Sequence, residues 1–305
     1  MQKIKIKAFT LIELLVVIAI IGILSALIII GMSSTTQKAT IAKAQVFSNS
    51  LRNSLMNNIV AQYSFDDIDA SDYDPTTKVM NNDVGNVPDS WLDNEGRAFN
   101  GPIVKDVADC ISGKCLSFDG SNDYVDCGAG TSLNLTDNIT ISAWIKFADG
   151  LNQDIIGKGS GSIGARTFLF WKQSNNILTF QWTDDNLLPA SAVSTPAIDN
   201  RWHNVVVKFS AGSVVLYVDA LSSGTGSGDT TIQGSAQTFI GNSHWGSYPP
   251  SGLMDEVRIF NAAMPASQIQ QTYFAGLNKL FTKQSVNEDE YQQRLSELSN
   301  NYVKQ

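Results

Sequence analysis

The stretch AFTLIELLVVIAIIGILSALIII, residues 8–30, constrains this chain more than any other. From Phe9 to Ile30 it runs for 22 residues with one charge, Glu13. At about 1.5 Å rise per residue such a helix is ~33 Å long, enough to cross a hydrocarbon core of ~30 Å. Lys3, Lys5 and Lys7 precede it. Basic residues stay on the cytoplasmic side, so the chain after Ile30 lies outside. A cleaved secretory signal has a shorter apolar region, about 7–15 residues, ending at small residues. Ser25-Ala26 offers small residues, but the apolar run continues to Ile30. A plain signal anchor shares the length and the basic flank. It gives no reason for Glu13, because a carboxylate in lipid costs about 2.5–3.5 kcal/mol even on insertion scales.

Glu13 is the fifth residue counted from Phe9. The segment KAFTLIELLVVIAIIGILSA (7–26) resembles the type III signal of type IV pilins and pseudopilins. The resemblance implies a basic leader over 1–8 and cleavage between Ala8 and Phe9 by a membrane prepilin peptidase. It also implies N-methylation of the new amine. Ala8 stands where the family usually has Gly. In that family the carboxylate at Glu13 would pair with the Phe9 amine of an adjacent subunit, an assembly role. A buried carboxylate does need a cationic partner. The implied partners are other pilin subunits through the N-terminal helix, the peptidase, and membrane lipid before assembly. Gly22 and Ser25 either allow close helix approach or are simply tolerated.

Beyond the apolar run, Ile41, Ala44, Phe47, Leu51, Leu55 and Ile59 recur at spacings of three and four. That is one helical stripe over Lys38–Val60, interrupted upstream by Gly31, Ser33 and Ser34. A long N-terminal α-helix over 9–60 is expected, its second half amphipathic. The chain carries a formal charge of −8, and loss of the three leader lysines leaves about −11. Such acidity argues against nucleic acid as a partner. Cys110 and Cys115 flank the turn-like ISGK, and an extracytoplasmic location permits a disulfide between them. Cys127, at a strand end in DYVDCG, reads as a buried free thiol. Three thiols with no His at ligand spacing are a poor match to zinc.

From Val60 to about Asn261 the pattern becomes short alternating apolar runs, among them ITISAWIKF (139–147), RTFLFWK (166–172), ILTFQW (177–182) and WHNVVVKF (202–209). Segments such as GKGSGSIG and SSGTGSGD separate them. Many short strands with regular turns predict a mainly β fold, an antiparallel sandwich. Residues 67–114, rich in Asp, Asn, Pro and Gly, read as a long loop region. The phrases YSFDD (63–67), LSFDGSNDYVD (116–126), ITISAWIKF, RWHNV (201–205), LYVDA (216–220) and GLMDEVRIFNAAMPASQIQQTY (252–273) resemble the laminin-G-like, concanavalin A-type jelly roll. That resemblance implies a jelly-roll head over 61–264, in a family that hosts carbohydrate-binding, adhesive and some catalytic domains. Ala220 replaces the usual Gly.

Fold does not settle function. In ITISAWIKF, Ser142, Trp144 and Lys146 share one face, and most tryptophans read as core. His244, Trp245 and Tyr248 lie in a Gly- and Pro-containing loop, where aromatics are better placed to meet a ligand. The expected ligand is a glycan or a surface protein. Members of the fold often bind an ion, so Asp66 and Asp67 at the end of the first strand, with Asp255 and Glu256 in the last, which can lie beside it, are calcium candidates. The alternative is solvation, or pairing with Arg258. No paired-carboxylate strand motif of the glucanase type appears, so no enzyme is expected. At the C-terminus, Pro265–Leu280 reads as a helix with Ile269, Tyr273, Leu277 and Leu280 inward. Asn287 opens a second, with Glu290 three residues on as a capping box. The hairpin (265–305) docks on its own head or on a neighbour. The functional expectation is a pilin-like filament subunit that moves from the membrane to an extracellular filament and displays an adhesive head. A pseudopilin without external ligand, or an anchored sugar-processing enzyme, are the alternatives.

Overall fold

The computed structural model describes residues 58–302 except 83–84, 160–165, 184–188, 195–197, 229, 233–235 and 244–247. The leader, the apolar run and most of the stem, with Ala8, Phe9 and Glu13, lie outside the described residues, as do His244 and Trp245. Among the described residues no helix is long and apolar enough to cross a membrane.

The alternating segments build two antiparallel sheets. The first has the order β14 (Leu221–Ser227), β13 (Ser213–Val218), β12 (His203–Ser210), β7 (Asn138–Phe147), β16 (Ser251–Phe260), β5 (Cys115–Asp119) and β4 (Ile103–Lys105), with β1 (Ile59–Tyr63) also on β16. The second has the order β11 (Pro189–Val193), β10 (Leu178–Thr183), β9 (Arg166–Lys172), β8 (Gln153–Gly159), β15 (Gln237–Ile240), β6 (Tyr124–Asp126), β3 (Gly96–Phe99) and β2 (Asn86–Val87). Side chains alternate across a strand. Ile139, Ile141, Ala143, Ile145 and Phe147 of β7 therefore join Phe168 and Phe170 of β9 and Phe180 and Trp182 of β10 in one core between the sheets.

The expected loop region 67–114 holds three short strands, β2, β3 and β4. Arg97 pairs with both Asn86 and Asp126, and Val104 with Leu116. The strands are two to four residues long, too short for a period to announce them, and β3 also pairs with β6 some way along the chain. Ile59 and Val60, read as the end of the helical stem, open β1 instead, where Ile59 pairs with Phe260.

β16 organises the entrance to the head. One edge pairs with β7. The other is shared, β5 taking Ser251–Met254 and β1 taking Val257–Phe260. Between Asp255 and Arg258 the register shifts at a bulge. The extra residue moves the alternation by one place, so Met254 and then Val257 and Ile259 enter the core. Glu256 takes the left-handed conformation there, at φ 52°.

The outer face of the first sheet is covered by a helical pair, α1 (Ala266–Thr282) and α2 (Glu288–Tyr302). Ile269, Tyr273, Leu277 and Leu280 of α1 join Trp144, Trp202, Val206 and Tyr217 of the sheet in a second apolar cluster. Gly276 lets the helix approach. A Cβ there would stand 2.3 Å from Trp144 Cζ2. The Trp144 and Tyr273 rings stack at 5.6 Å. Asn287 caps α2, its Oδ1 accepting from Glu290 N at 2.8 Å. Thus the hairpin docks on its own head.

Candidate functional site

Three groups of side chains carry chemistry in the head. The first is the acidic junction, where β1 ends, β5 begins and β16 bulges. Cys110 and Cys115 are joined in a disulfide, with Cα atoms 5.4 Å apart, and the loop between them meets the acids. Asp255 is fully buried. Its Oδ2 accepts from Ile111 N at 2.8 Å and Ser112 N at 3.1 Å, while Oδ1 has no hydrogen-bond partner. Asp66 Oδ1 accepts from Lys114 N at 2.7 Å. Gly113 makes room for it, since a Cβ at Gly113 would lie 1.8 Å from Asp66 Oδ1. Burial, with the neighbouring Glu256 charge, pushes the Asp255 carboxyl well above its ordinary range against the two loop N–H groups. Asp66 is raised by burial too, against the Lys114 N–H.

Glu256 pairs with Arg258 and, at 3.3 Å, with Lys279 of α1. Asp67, exposed, accepts from Ser90 Oγ at 3.0 Å. Lys283 Nζ donates to the carbonyls of Val107, Cys110 and Ile111 at 3.0–3.1 Å. The four sequence candidates thus lie around one junction, but they do not assemble into a ready metal site. Among the described residues no group of three or more His, Cys, Asp and Glu is arranged to hold an ion. Cys127 is buried and free, and burial raises its thiol to about 12.

The second group joins the hairpin to the sheet. His203 is buried, with Nδ1 2.7 Å from Asp219 Oδ2 and Nε2 3.0 Å from Asp199 Oδ1. Burial alone would lower its pKa. The Asp219 charge and hydrogen bonds to both carboxylates outweigh burial and raise it to about 9. His203 is therefore an imidazolium at neutral pH and donates both ring protons. Arg294 of α2 donates to Trp202 O at 2.9 Å and lies 3.8 Å from Asp219. Glu290 accepts from Arg294 at 2.8 Å and from Arg201 at 3.4 Å. This network is a fastening. Its polar atoms pair with one another across the hairpin and the sheet.

The third group is aromatic. In β9 Phe168 and Phe170 face the core, so Leu169 and Trp171 face outward. Trp171 is half-buried and stacks on Tyr248, ring centroids 5.3 Å apart and planes 12° apart. Tyr248 is 41% exposed. Its backbone is fixed to β8: Asp154 N donates to Tyr248 O at 2.7 Å, and Tyr248 N donates to Asp154 Oδ2 at 3.3 Å. Of the three loop candidates, Tyr248 alone falls within the described residues. Trp171 was missed in the sequence, although the alternation of RTFLFWK sets it opposite the two core phenylalanines.

Residues 119–270 match the family model described as the concanavalin A-like lectin/glucanases superfamily. Residues 4–29 match the prokaryotic N-terminal methylation motif. The chain therefore joins a type IV pilin-like N-terminal motif to a laminin G-like, concanavalin A-like jelly roll. Among solved structures it is similar to the binding domain of Paraclostridial Mosquitocidal Protein 1, at 14% identity and a TM-score of 0.54, covering 73% of this chain and 53% of that one. It is also similar to the botulinum neurotoxin serotype D ligand binding domain in complex with N-acetylneuraminic acid, at 13% identity and a TM-score of 0.54, covering 74% and 52%. The receptor binding domain of botulinum neurotoxin mosaic serotype C/D is similar at 12% identity and a TM-score of 0.52, covering 73% and 52%. The chain thus spans about half of each of those structures, and at these identities the likeness is one of fold. No curated protein matches.

Proposed function

We propose that this chain is a type IV pilin-like subunit that anchors in the membrane, is processed before Phe9, and displays its jelly-roll head on a surface filament as a non-catalytic binding domain for a glycan or a surface protein. One observation carries the reading: a single chain holds the N-terminal methylation motif at 4–29 and a lectin-like domain at 119–270. A head bound only for a membrane would not need an N-terminus of this kind. In the filament Glu13 would accept from the Phe9 amine of the next subunit, and that pair would set the register. Mass spectrometry of the mature N-terminus, with immunogold imaging, tests the reading. The expected results are a methylated Phe9 and labelled surface fibres, and Glu13→Ala should abolish the fibres while the membrane pool persists. Retention of the processed chain at the membrane, with no fibres in wild type, would replace the pilin reading with a pseudopilin one. Fibres of normal number from Glu13→Ala would remove Glu13 from assembly.

Calcium at the acidic junction is a second proposal, and its support is narrow: Asp255 Oδ1 is a fully buried oxygen without a hydrogen bond. Asp255 and Asp66 would hold the ion, whose contribution would be to neutralise them. Glu256 is already neutralised by Arg258 and Lys279. A ligand that binds only the folded state raises the thermal midpoint as its concentration rises. A midpoint unchanged between millimolar calcium and chelator would exclude the ion.

A further inference from the structure

The hairpin covers the outer face of the first sheet, so Trp144, Trp202 and Tyr217 are closed to any ligand. On the second sheet Trp171 faces outward and only Tyr248 is stacked on it among the described rings. One face of the Tyr248 phenol is backed by the indole, and the residue is 41% exposed. We propose that the open face of Tyr248, supported by Trp171, is a binding platform for a pyranose ring of a neutral saccharide. The proposal rests on the reading of the head as a binding domain.

Presentation of the ring is rigid. Tyr248 is held to Asp154 through both its N–H and its C=O. Pro249 and Pro250 follow, and a residue before proline is confined to extended conformations. Little side-chain entropy remains to be lost when a ligand stacks, the property that makes Tyr and Trp effective contact residues. The Trp171 indole Nε1 makes no hydrogen bond, so packing and the stack hold it, and the pair behaves as one aromatic slab.

The chemistry of the occupant follows from the face and its surroundings. An aromatic face is electronegative, and it attracts the weakly positive C–H groups on the apolar side of a pyranose. One carboxylate lies at the platform, Asp154, which stands opposite Trp171 and accepts from Tyr248 N, and the other polar side chains at this end of the strands are mostly neutral amides. Asn152 precedes β8, Gln173 follows Trp171 by two residues, and Gln181 lies opposite Leu169 in the sheet. Leu151, 46% exposed, stands two residues before Gln153, which pairs with Lys172 beside Trp171. It adds apolar surface at the same end of the strands. No lysine or arginine is positioned on the Tyr248 ring among the described residues, and the chain is acidic. A polyanion or a sialylated glycan would be repelled, while an uncharged sugar would not.

The test uses the full-length mature protein in detergent, titrated with neutral oligosaccharides (maltohexaose, cellohexaose, laminarihexaose) and with sialyllactose. Binding is followed by saturation-transfer NMR and tryptophan fluorescence. Wild type should bind at least one neutral probe, with the ring C–H protons of the saccharide among those that receive saturation from the protein's aromatic protons, and should not bind sialyllactose. Tyr248→Phe should keep binding. Tyr248→Leu, which retains bulk without the aromatic face, should weaken it about tenfold or more, equivalent to about 1.4 kcal/mol, with an unchanged thermal midpoint. If Tyr248→Leu binds neutral probes as tightly as wild type, the platform is wrong while the binding-domain reading stands. Binding of sialyllactose alone overturns the ligand class. If no saccharide binds, the proposal falls. If cells bearing the filaments also adhere to no glycan or protein surface, the broader reading falls with it.

Discussion

Replacement of His203 by Gln tests the fastening between the hairpin and the sheet. His203 faces Asp219 on one side and Asp199 on the other, with Arg294 of α2 across Asp219 and with Arg201 and Glu290 at the rim. Its pKa rises from 6.5 to about 9 in the folded state. At about 1.4 kcal/mol for each tenfold change, that rise is worth about 3 kcal/mol. Asp199 is 45% exposed, so solvent screens part of it, and about 2–3 kcal/mol is the working figure. A raised folded pKa contributes stability that is complete below the unfolded value and lost as pH rises through the folded one. Wild type should therefore lose this increment between about pH 6.5 and 9. Lys158 works in the opposite sense. Burial lowers its pKa to about 8, so its cost is relieved as pH climbs toward 10.5. The decisive quantity is the difference between wild type and His203→Gln, in which Lys158 cancels. Urea unfolding of the two proteins at half-unit steps from pH 6 to 10 measures it. The gap should be widest at the acid end and close by about pH 9.5. A gap that stays constant across the range would mean that His203 acts through packing alone, and the charged fastening would be refuted.

Two other substitutions probe the packing around the site. Gly276→Ala would place a Cβ 2.3 Å from the Trp144 ring. The strain of overpacking, about 1–3 kcal/mol, should exceed the ~1 kcal/mol gained in helix propensity. A lower urea midpoint and faster amide exchange in α1 are expected, and a higher midpoint would show that the helix can move away without cost. Asp255→Ala removes the acceptor for Ile111 N and Ser112 N, at a cost of about 1–3 kcal/mol for each buried donor left unmet. Those two amides should exchange faster with the disulfide intact, and unchanged exchange would show that they find other acceptors.

Much of the fold was legible in the sequence because strands and helices announce themselves by period. The alternation in ITISAWIKF and ILTFQW placed β7 and β10, and Asn287 marked the start of α2 by its capping chemistry. The capping box was half legible. Asn287 accepts from Glu290 N, but the Glu290 carboxylate turns to Arg294 and Arg201 instead of back to the cap. Local sequence signals a cap. It does not settle which of two local partners the carboxylate takes, the cap amide or Arg294 one turn on, and it gives no sign of Arg201 from the sheet. β2, β3 and β4 were illegible because they are short. Runs of two to four residues carry no period, and the turns that join β2 to β3 and β4 to β5 have no short hairpin signature.

The tryptophans show how far alternation reaches when it is used to find a site. It places Trp144 and Trp171 alike on the outer face of a strand, and on that ground both are candidates for contact with a ligand. Trp144 is 1% exposed because α1 lies across it, with Gly276 against its ring. Among the described rings Trp171 has only Tyr248 stacked on it, and Tyr248 is 41% exposed. The strand sets the direction of a side chain, and whatever docks later decides whether it stays available. The acids obey the same rule. Asp255 and Glu256 are consecutive, yet the bulge and its surroundings send Asp255 to loop amides and Glu256 to Arg258 and Lys279. A sequence that supplies its own donors to an acidic cluster has less need of an ion there, whereas nothing described in this chain closes the outer face of Tyr248. The aromatic platform therefore has the stronger claim to an external ligand.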